Sequence, residues 1–297
     1  MIIVAIYGGL GNQMFQYATA KAVAERLGVE LKLDLSLVND RTPSPGFTFR
    51  NFELNAFNIN ESIAHSCEVR KFVPNLWNAG NIQKKLYKIW RLLNNIFFYY
   101  EKNKFQYEER IEDIQDNTYV FGYFQTELYF MKNRLNLLNI FELKDELNIE
   151  SKAIDTLIQS INSVSVHIRR GDYVDSIYHS LYDSSYYQKA IEMIKIKIEN
   201  PVFYFFSDDI LWVKSQFKNL DIKKVFVELD NAQNPAVDLI LMSHCKHNIC
   251  ANSSYSWWAA WLNINPEKMV IAPKKWFKSG PFAYNTYDLI PTEWLQI

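Results

Sequence analysis

The residues best equipped for chemistry lie in one stretch, Ser165-Val166-His167-Ile168-Arg169-Arg170-Gly171-Asp172-Tyr173. An apolar run from Val164 to Ile168 ends in two adjacent guanidiniums, a glycine and a carboxylate. Arginine's planar fork matches phosphate oxygens two at a time, and Gly171 lets the backbone turn and approach a ligand closely. That exit suits an anion. A strand end with solvated charges and an Arg170–Asp172 ion pair is the competing reading.

A second cluster, Asn252-Ser253-Ser254, stands at a strand-to-helix junction before Tyr255-Ser256-Trp257-Trp258. Small hydroxyls and backbone N–H groups at a helix start hold anions with help from the helix dipole, although capping alone would explain the serines. Opposite two arginines, a diphosphate is the economical ligand. Ser207-Asp208-Asp209 closes another apolar run. Its aspartates are expected to cap a helix or to accept hydrogen bonds from a ribose or the arginines. The arginines make a metal-bridging Asp-Asp pair unnecessary, so no metal is expected. Trp257, Trp258 and Trp261 read as core.

These groups need elements to hold them. Val164–Ile168, Val202–Phe206, Val225–Val227, Asn248–Ala251 and Met269–Ala272 are short apolar runs. Helical segments separate most of them: Ser185–Glu199, Leu211–Phe217, Ala236–Cys245 and Tyr255–Leu262. Such alternation implies a parallel sheet with helices on both faces, whose ligands sit at the carboxyl ends of the strands. Arg169, Arg170, Asp172, Ser207, Asp208, Asp209, Glu228 and Asn252–Ser254 all fall there.

The N-terminal half opens with a strand, Ile2–Ile6, broken by Gly8-Gly9-Leu10-Gly11. Asn12 is expected to cap the next helix, which carries Phe15, Ala18, Ala22 and Val23 on helical spacing and closes at Gly28. A second strand, Glu30–Leu35, ends near Asp34. This resembles a dinucleotide-binding start with an acidic residue about 20 positions on, but Met14 occupies the third glycine position. A loop presenting Asn12 and Gln13 to a polar ligand, or a plain tight turn, fits as well. Tyr119–Phe124 reads as a strand whose polar exit, Gln125-Thr126-Glu127, could line a cleft. Ile82, Leu86, Ile89, Leu93 and Ile96 mark one helical face, with Lys84, Lys85, Lys88 and Arg91 mostly off it. That helix packs on its own domain or lies on an anionic membrane.

The chain's 297 residues suggest two domains, 1–148 and 149–297. A net charge of -1 gives no support to nucleic-acid binding through phosphate neutralisation. The three cysteines, Cys67, Cys245 and Cys250, read as buried thiols in a reducing compartment. No basic leader and no membrane-length apolar run are seen, so a cytoplasmic location is expected.

The motifs Gly8-Gly9-Leu10-Gly11-Asn12-Gln13-Met14-Phe15-Gln16, His167-Ile168-Arg169-Arg170-Gly171-Asp172-Tyr173, Phe206-Ser207-Asp208-Asp209 and Ala251-Asn252-Ser253-Ser254-Tyr255-Ser256-Trp257-Trp258 occur in that order. Together they resemble the α-1,2-fucosyltransferases of bacteria and animals. Asp238-Leu239 to Met242-Ser243 and Pro273-Lys274-Lys275-Trp276-Phe277 are weaker matches. Residues 41–117 carry no such signature.

The resemblance implies a GT-B-like α/β fold, two Rossmann-type domains facing a central cleft. The N-terminal domain would take the acceptor and the C-terminal one GDP-β-L-fucose. It implies inverting transfer to the 2-hydroxyl of a galactose, with no metal or other cofactor. It places Arg169 on the pyrophosphate, His167 and Asp238 at guanine, Ser253 and Ser254 at phosphate, and Asn12 at the reacting centre. Ser207, Asp208 and Asn252 join the donor side, and Gln13 and Gln125 the acceptor side. For the acceptor proton, Asp172 and His179 are the candidates, beside a route with no dedicated base. The expected partner is a galactose-terminated glycan, lipid-linked at the inner membrane surface. Two rivals stand beside this reading: a nicotinamide-dependent oxidoreductase using the glycine loop, and a non-catalytic sugar-nucleotide or glycan binder.

Overall fold

The computed structural model describes residues 1–42, 49–73, 89–90, 92–171, 184–229, 234–278 and 286–297. They form two compact units. The first comprises Met1–Leu54, Ile59–Ile140 and Tyr287–Leu289, and the second Asn55–Asn58, Phe141–Thr286 and Ile290–Ile297.

In the first unit the strands are β1 (Ile2–Ala5), β2 (Leu31–Asp34), β3 (Ser62–Ile63), β4 (Phe97–Tyr100) and β5 (Thr118–Phe121), in the order β3-β2-β1-β5-β4. Every pairing is parallel, and Ile2 aligns with Leu31 on one side and Thr118 on the other. All four residues of β1 are buried, as a central parallel strand covered on both faces requires. The helices are α1 (Leu10–Leu27), α2 (Ser36–Asn39), α3 (Ser66–Phe72) and α4 (Arg134–Ile140).

Two expectations change in this unit. Helix α1 is capped at Gly9, so Asn12 lies inside its first turn rather than before it. The helical pattern drawn from Ile82 to Phe97 cannot run to its end, because Phe97–Tyr100 form β4 at a sheet edge. Four consecutive aromatics fit a pleated, half-buried surface better than a helix. Residues 74–88 and 91, which carry the basic side chains of that pattern, lie outside the described residues.

In the second unit the strands are β6 (Ser163–Ile168), β7 (Val202–Ser207), β8 (Lys223–Phe226), β9 (His247–Ile249), β10 (Val270–Ala272) and β11 (Leu295–Gln296). They pair in parallel in the order β11-β10-β9-β6-β7-β8. Helices α5 (Ile149–Ser160), α6 (Ser184–Lys197), α7 (Ile210–Phe217), α8 (Ala236–His244) and α9 (Ser254–Leu262) accompany them. Each apolar run read from the sequence forms a strand. The two-residue β11 was not anticipated.

The period-2 alternation of a strand sorts the side chains of β6. Val164, Val166 and Ile168 join a core with Ile191, Val213 and Phe217. Ser165 and His167 point the other way: Asn248 donates to the Ser165 hydroxyl at 2.8 Å, and the His167 ring lies 5.3 Å from that of Tyr255. Trp257, Trp258 and Trp261 are core, packed on one another. Cys245 and Cys250 are buried free thiols, whereas Cys67 is exposed, contrary to expectation. Among the described residues no helix is long and apolar enough to cross a membrane.

Candidate active site

Each sheet has one point where the strand order reverses, and ligand crevices of open parallel sheets form at the strands' carboxyl ends there. In the second unit the chain fills β7 and β8 on one side of β6, then β9, β10 and β11 on the other. The reversal lies between β6 and β9. Arg169 and Arg170 leave β6, Asn252–Ser254 follow β9, and Ser207–Asp209 close the adjacent β7. In the first unit the reversal lies between β1 and β5. Gly8–Asn12 follow β1, and Gly122–Gln125 follow β5.

The exit of β6 is braced by the two aspartates after β7. The Asp208 carboxylate accepts Arg169 Nη1 at 2.9 Å and the backbone N–H of Arg170 at 2.8 Å. Arg170 Nε donates to Asp209 at 3.0 Å, and its guanidinium lies 3.8 Å from the centre of the Trp212 ring. Asp209 also caps α7 by accepting the Trp212 N–H at 3.1 Å, and these bonds hold its pKa below the ordinary aspartate value. Among the described residues Arg170 therefore pairs with Asp209. Asp172 and His179 lie outside the described residues. Ser207 accepts the Asp209 N–H at 3.0 Å, so this hydroxyl shapes the turn.

His167 is buried, and among the described residues its Nδ1 has no hydrogen-bond partner. Burial, and then the charge of Arg169, push its pKa down to about 3, so the ring is neutral at ordinary pH. A buried polar nitrogen left unpaired is costly, which marks it as a place where a ligand would supply the missing bond. The Tyr255 hydroxyl bonds the Pro235 carbonyl, tying the start of α9 to the start of α8, where half-buried Asp238 sits in the first turn. Ser253 is the N-cap of α9 and accepts the Tyr255 N–H at 3.3 Å. Ser254 opens the helix, and Asn252 donates to the Trp276 carbonyl at 3.0 Å, fixing the loop.

In the first unit Gln125 donates to Asn12 Oδ1 at 2.6 Å, joining the exits of β1 and β5. Gln13 does something else. Its side chain is buried, donates to the carbonyls of Gly8 (2.8 Å) and Asn51 (2.7 Å), and accepts the Glu53 N–H at 3.0 Å. Expected to face an acceptor, it is instead spent on holding two loops together. Asp34 is likewise closed, since its oxygens accept Ser36 N–H at 2.9 Å and the Tyr119 hydroxyl at 2.7 Å. A ribose-binding carboxylate must be open to its ligand, so sealed Asp34 and fully buried Met14 disfavour the dinucleotide reading. Trp212 and Trp276 were not singled out as site residues. Their roles come from contacts across the fold that no local motif announces.

Among the described residues no group of three or more His, Cys, Asp or Glu is arranged to hold a metal ion.

Comparison with known proteins gives this geometry a setting. The model of glycosyl transferase family 11 matches residues 1–297. An Escherichia coli α-1,2-colitosyltransferase is 34% identical, the match covering 100% of this chain and 99% of that protein. A Rattus norvegicus galactoside α-(1,2)-fucosyltransferase 2 is 26% identical, over 88% of this chain and 67% of that one. The solved structure of an Arabidopsis thaliana FUT1 variant in complex with GDP shares the fold, with a TM-score of 0.50 and 11% identity, covering 91% of this chain and 70% of that one. The two parallel sheets are thus of the GT-B-like α/β class. With its family motifs at the reversal points of both sheets, this chain belongs to glycosyl transferase family 11 and is a glycosyltransferase.

Proposed function

We propose that the protein transfers L-fucose from GDP-β-L-fucose, with inversion, to the 2-hydroxyl of a galactose. The observation that carries this reading is Arg169 at the exit of β6, braced by Asp208 at the sheet's reversal point, in a chain of this family. The donor belongs to the half running from residue 149 to 297 and the acceptor to residues 1–148.

The acceptor oxygen attacks the anomeric carbon of fucose as the bond from that carbon to the phosphate oxygen breaks. The electron pair leaves with GDP. Positive charge builds on the sugar and negative charge on the diphosphate. Arg169 stabilises the departing charge, with Ser253, Ser254 and the start of α9 on the phosphates. His167, uncharged and with its Nδ1 unpaired among the described residues, offers that nitrogen to the guanine together with Asp238. These donors neutralise the leaving group without a metal ion. Asp172 or His179 takes the proton lost by the acceptor hydroxyl, and Asn12 and Gln125 orient that hydroxyl.

Arg169→Ala tests this directly. Removing one preorganised donor from a developing anion costs roughly 10²- to 10³-fold in kcat. The measurement is GDP release with GDP-fucose and a panel of β-galactosides. Turnover near that of the unaltered protein would remove Arg169 from the mechanism. No GDP release by the unaltered protein with any galactoside would overturn the transferase reading itself.

The match to an α-1,2-colitosyltransferase over the whole chain favours a second donor. Colitose is L-fucose without its 3-hydroxyl, so the reaction is unchanged and the selection lies at that carbon. A site that hydrogen-bonds the 3-hydroxyl should reject the deoxy donor strongly, and one that packs against the bare carbon should accept it. Competition between the two GDP-sugars decides the point.

The acceptor is proposed to be a lipid-linked oligosaccharide at a membrane surface. Ile89, Trp90, Leu92 and Leu93 are all exposed and follow the basic Lys84-Lys85 and Lys88 in sequence. That supports a peripheral contact with anionic lipid.

A further inference from the structure

Glu101 belongs to none of the recognised motifs, yet its carboxylate shapes the loop that carries Gln125. It follows β4, and its backbone N–H continues the ladder to the Phe121 carbonyl at 3.0 Å. Its side chain crosses to the exit of β5, where Oε2 accepts the Tyr123 N–H at 2.7 Å and Oε1 the Phe124 N–H at 3.1 Å. The residue is only 1% exposed. Burying a carboxyl is expensive, and one that accepts two backbone N–H groups is built into its surroundings.

The loop it holds is unusual in two ways. Phe124 adopts φ +55°, a left-handed conformation rarely taken by a bulky residue. At Gly122 a Cβ would come within 2.5 Å of Glu101 Cβ and 2.9 Å of its Oε2, so the carboxyl occupies the space a side chain would need. The residue after Phe124 is Gln125, which reaches Asn12.

We propose that Glu101 is a positioning residue for sugar transfer: its carboxylate fixes the 122–124 turn and so sets Gln125 against Asn12. The inference rests on the reading of Asn12 and Gln125 as the acceptor side. The ionised carboxylate accepts both N–H groups. Protonation turns one oxygen into a hydroxyl, a much weaker acceptor, and loosens one of the two bonds. The turn is therefore formed fully only with Glu101 ionised. Its electrostatic surroundings include Glu108, Lys104 and the phenols of Tyr7, Tyr99, Tyr123 and Tyr129. Burial raises the pKa of each phenol, and the pKa of Glu108 is lowered by its hydrogen bonds. Burial pushes the Glu101 carboxyl up to about 7, against the pull of the two N–H groups. Of the groups with shifted pKa in this set, Glu101 is the one titrating near neutrality.

Glu101→Gln keeps the size, leaves one acceptor, and points an amide N–H at the second backbone N–H. Expected results are a loss of roughly 10- to 100-fold in kcat/KM for the acceptor, disappearance of the acidic limb near pH 7, and unchanged GDP affinity by calorimetry. Gln125→Ala should lose the same limb, and the double variant should be no worse than the poorer single one. If Glu101→Gln does not fold, the pH profiles of the unaltered protein and Gln125→Ala still decide the matter: the component near pH 7 must be present in the first and absent in the second, while any limb from Asp172 or His179 stays in both. Wild-type kinetics and pH profile in Glu101→Gln, or additive losses in the double variant, would overturn the proposal. An unaltered protein that releases no GDP from GDP-fucose would instead refute the transferase reading beneath it.

Discussion

The brace on Arg169 can be attacked from two sides, and the two attacks should not add. Asp208 holds the Arg169 guanidinium and the Arg170 N–H, and a Cβ placed on Gly171 would lie 2.6 Å from Asp208 Oδ2. Gly171→Ala must therefore push that carboxylate aside, because carbon–oxygen contacts relax only beyond about 3 Å. A charge-assisted hydrogen bond is worth about 1.5–3 kcal/mol. Both side chains are about a quarter exposed (24% and 26%), so the lower end applies. With a weakened Arg170 N–H bond, the loss is about 2 kcal/mol, or roughly 30-fold in kcat/KM for the donor. Asp208→Ala removes the same contacts and should cost about as much. In the double variant the carboxylate that clashes is gone, so adding Gly171→Ala to Asp208→Ala should cost less than about twofold. Initial rates of GDP release for the four proteins, at donor concentrations well below KM, measure the cycle. If the two losses multiply to roughly 1000-fold, Gly171 acts on something other than Asp208, and the steric account of this glycine is wrong.

Two further outcomes follow from the buried titratable groups. His167, held neutral with a pKa of about 3, should contribute no limb to the pH profile around 6–7. His167→Leu should weaken GDP by about one hydrogen bond, roughly tenfold, and narrow its preference over ADP in calorimetry. Glu101 binds its proton more tightly in the folded than in the unfolded chain, about 7 against 4.5. Its stabilising effect is thus complete below about pH 4.5 and is lost as the pH rises to about 7, a change of about 3 kcal/mol. Urea titrations at pH 5 and pH 8 should show Glu101→Gln losing that part of the pH dependence. An unchanged difference between the two pH values would mean that Glu101 titrates normally in the folded protein.

What the sequence made legible was whatever burial writes into consecutive residues. Strands of a parallel sheet covered on both faces read as apolar runs, so β6, β7, β9 and β10 were found with the charged groups at their ends. The edge strands β3 and β11, two residues each, are too short to leave a pattern, and β4, four aromatics without apolar–polar alternation, carried no strand signal beyond the helical spacing that ends at Ile96. Pairing over distance was not legible. Arg170 finds Asp209, 39 positions away, and Asp34 is closed by a tyrosine 85 positions away. Gln13 is polar and sits in a recognisable loop, and nothing local distinguishes an amide offered to a ligand from one spent on Gly8, Asn51 and Glu53.

Glu101 is the sharpest instance of that limit. A glutamate after an aromatic strand reads as a solvated strand end, and only the approach of Gly122 and the left-handed Phe124 turns it into an inward-facing acid. In the folded protein its ionised form costs stability, yet that form alone satisfies both N–H groups of the turn that carries Gln125. A chain selected for stability alone would fill this space with an apolar side chain and let the turn relax. Keeping the acid trades stability for geometry at the acceptor side, the exchange expected where a fold sacrifices local comfort to hold reacting groups in place.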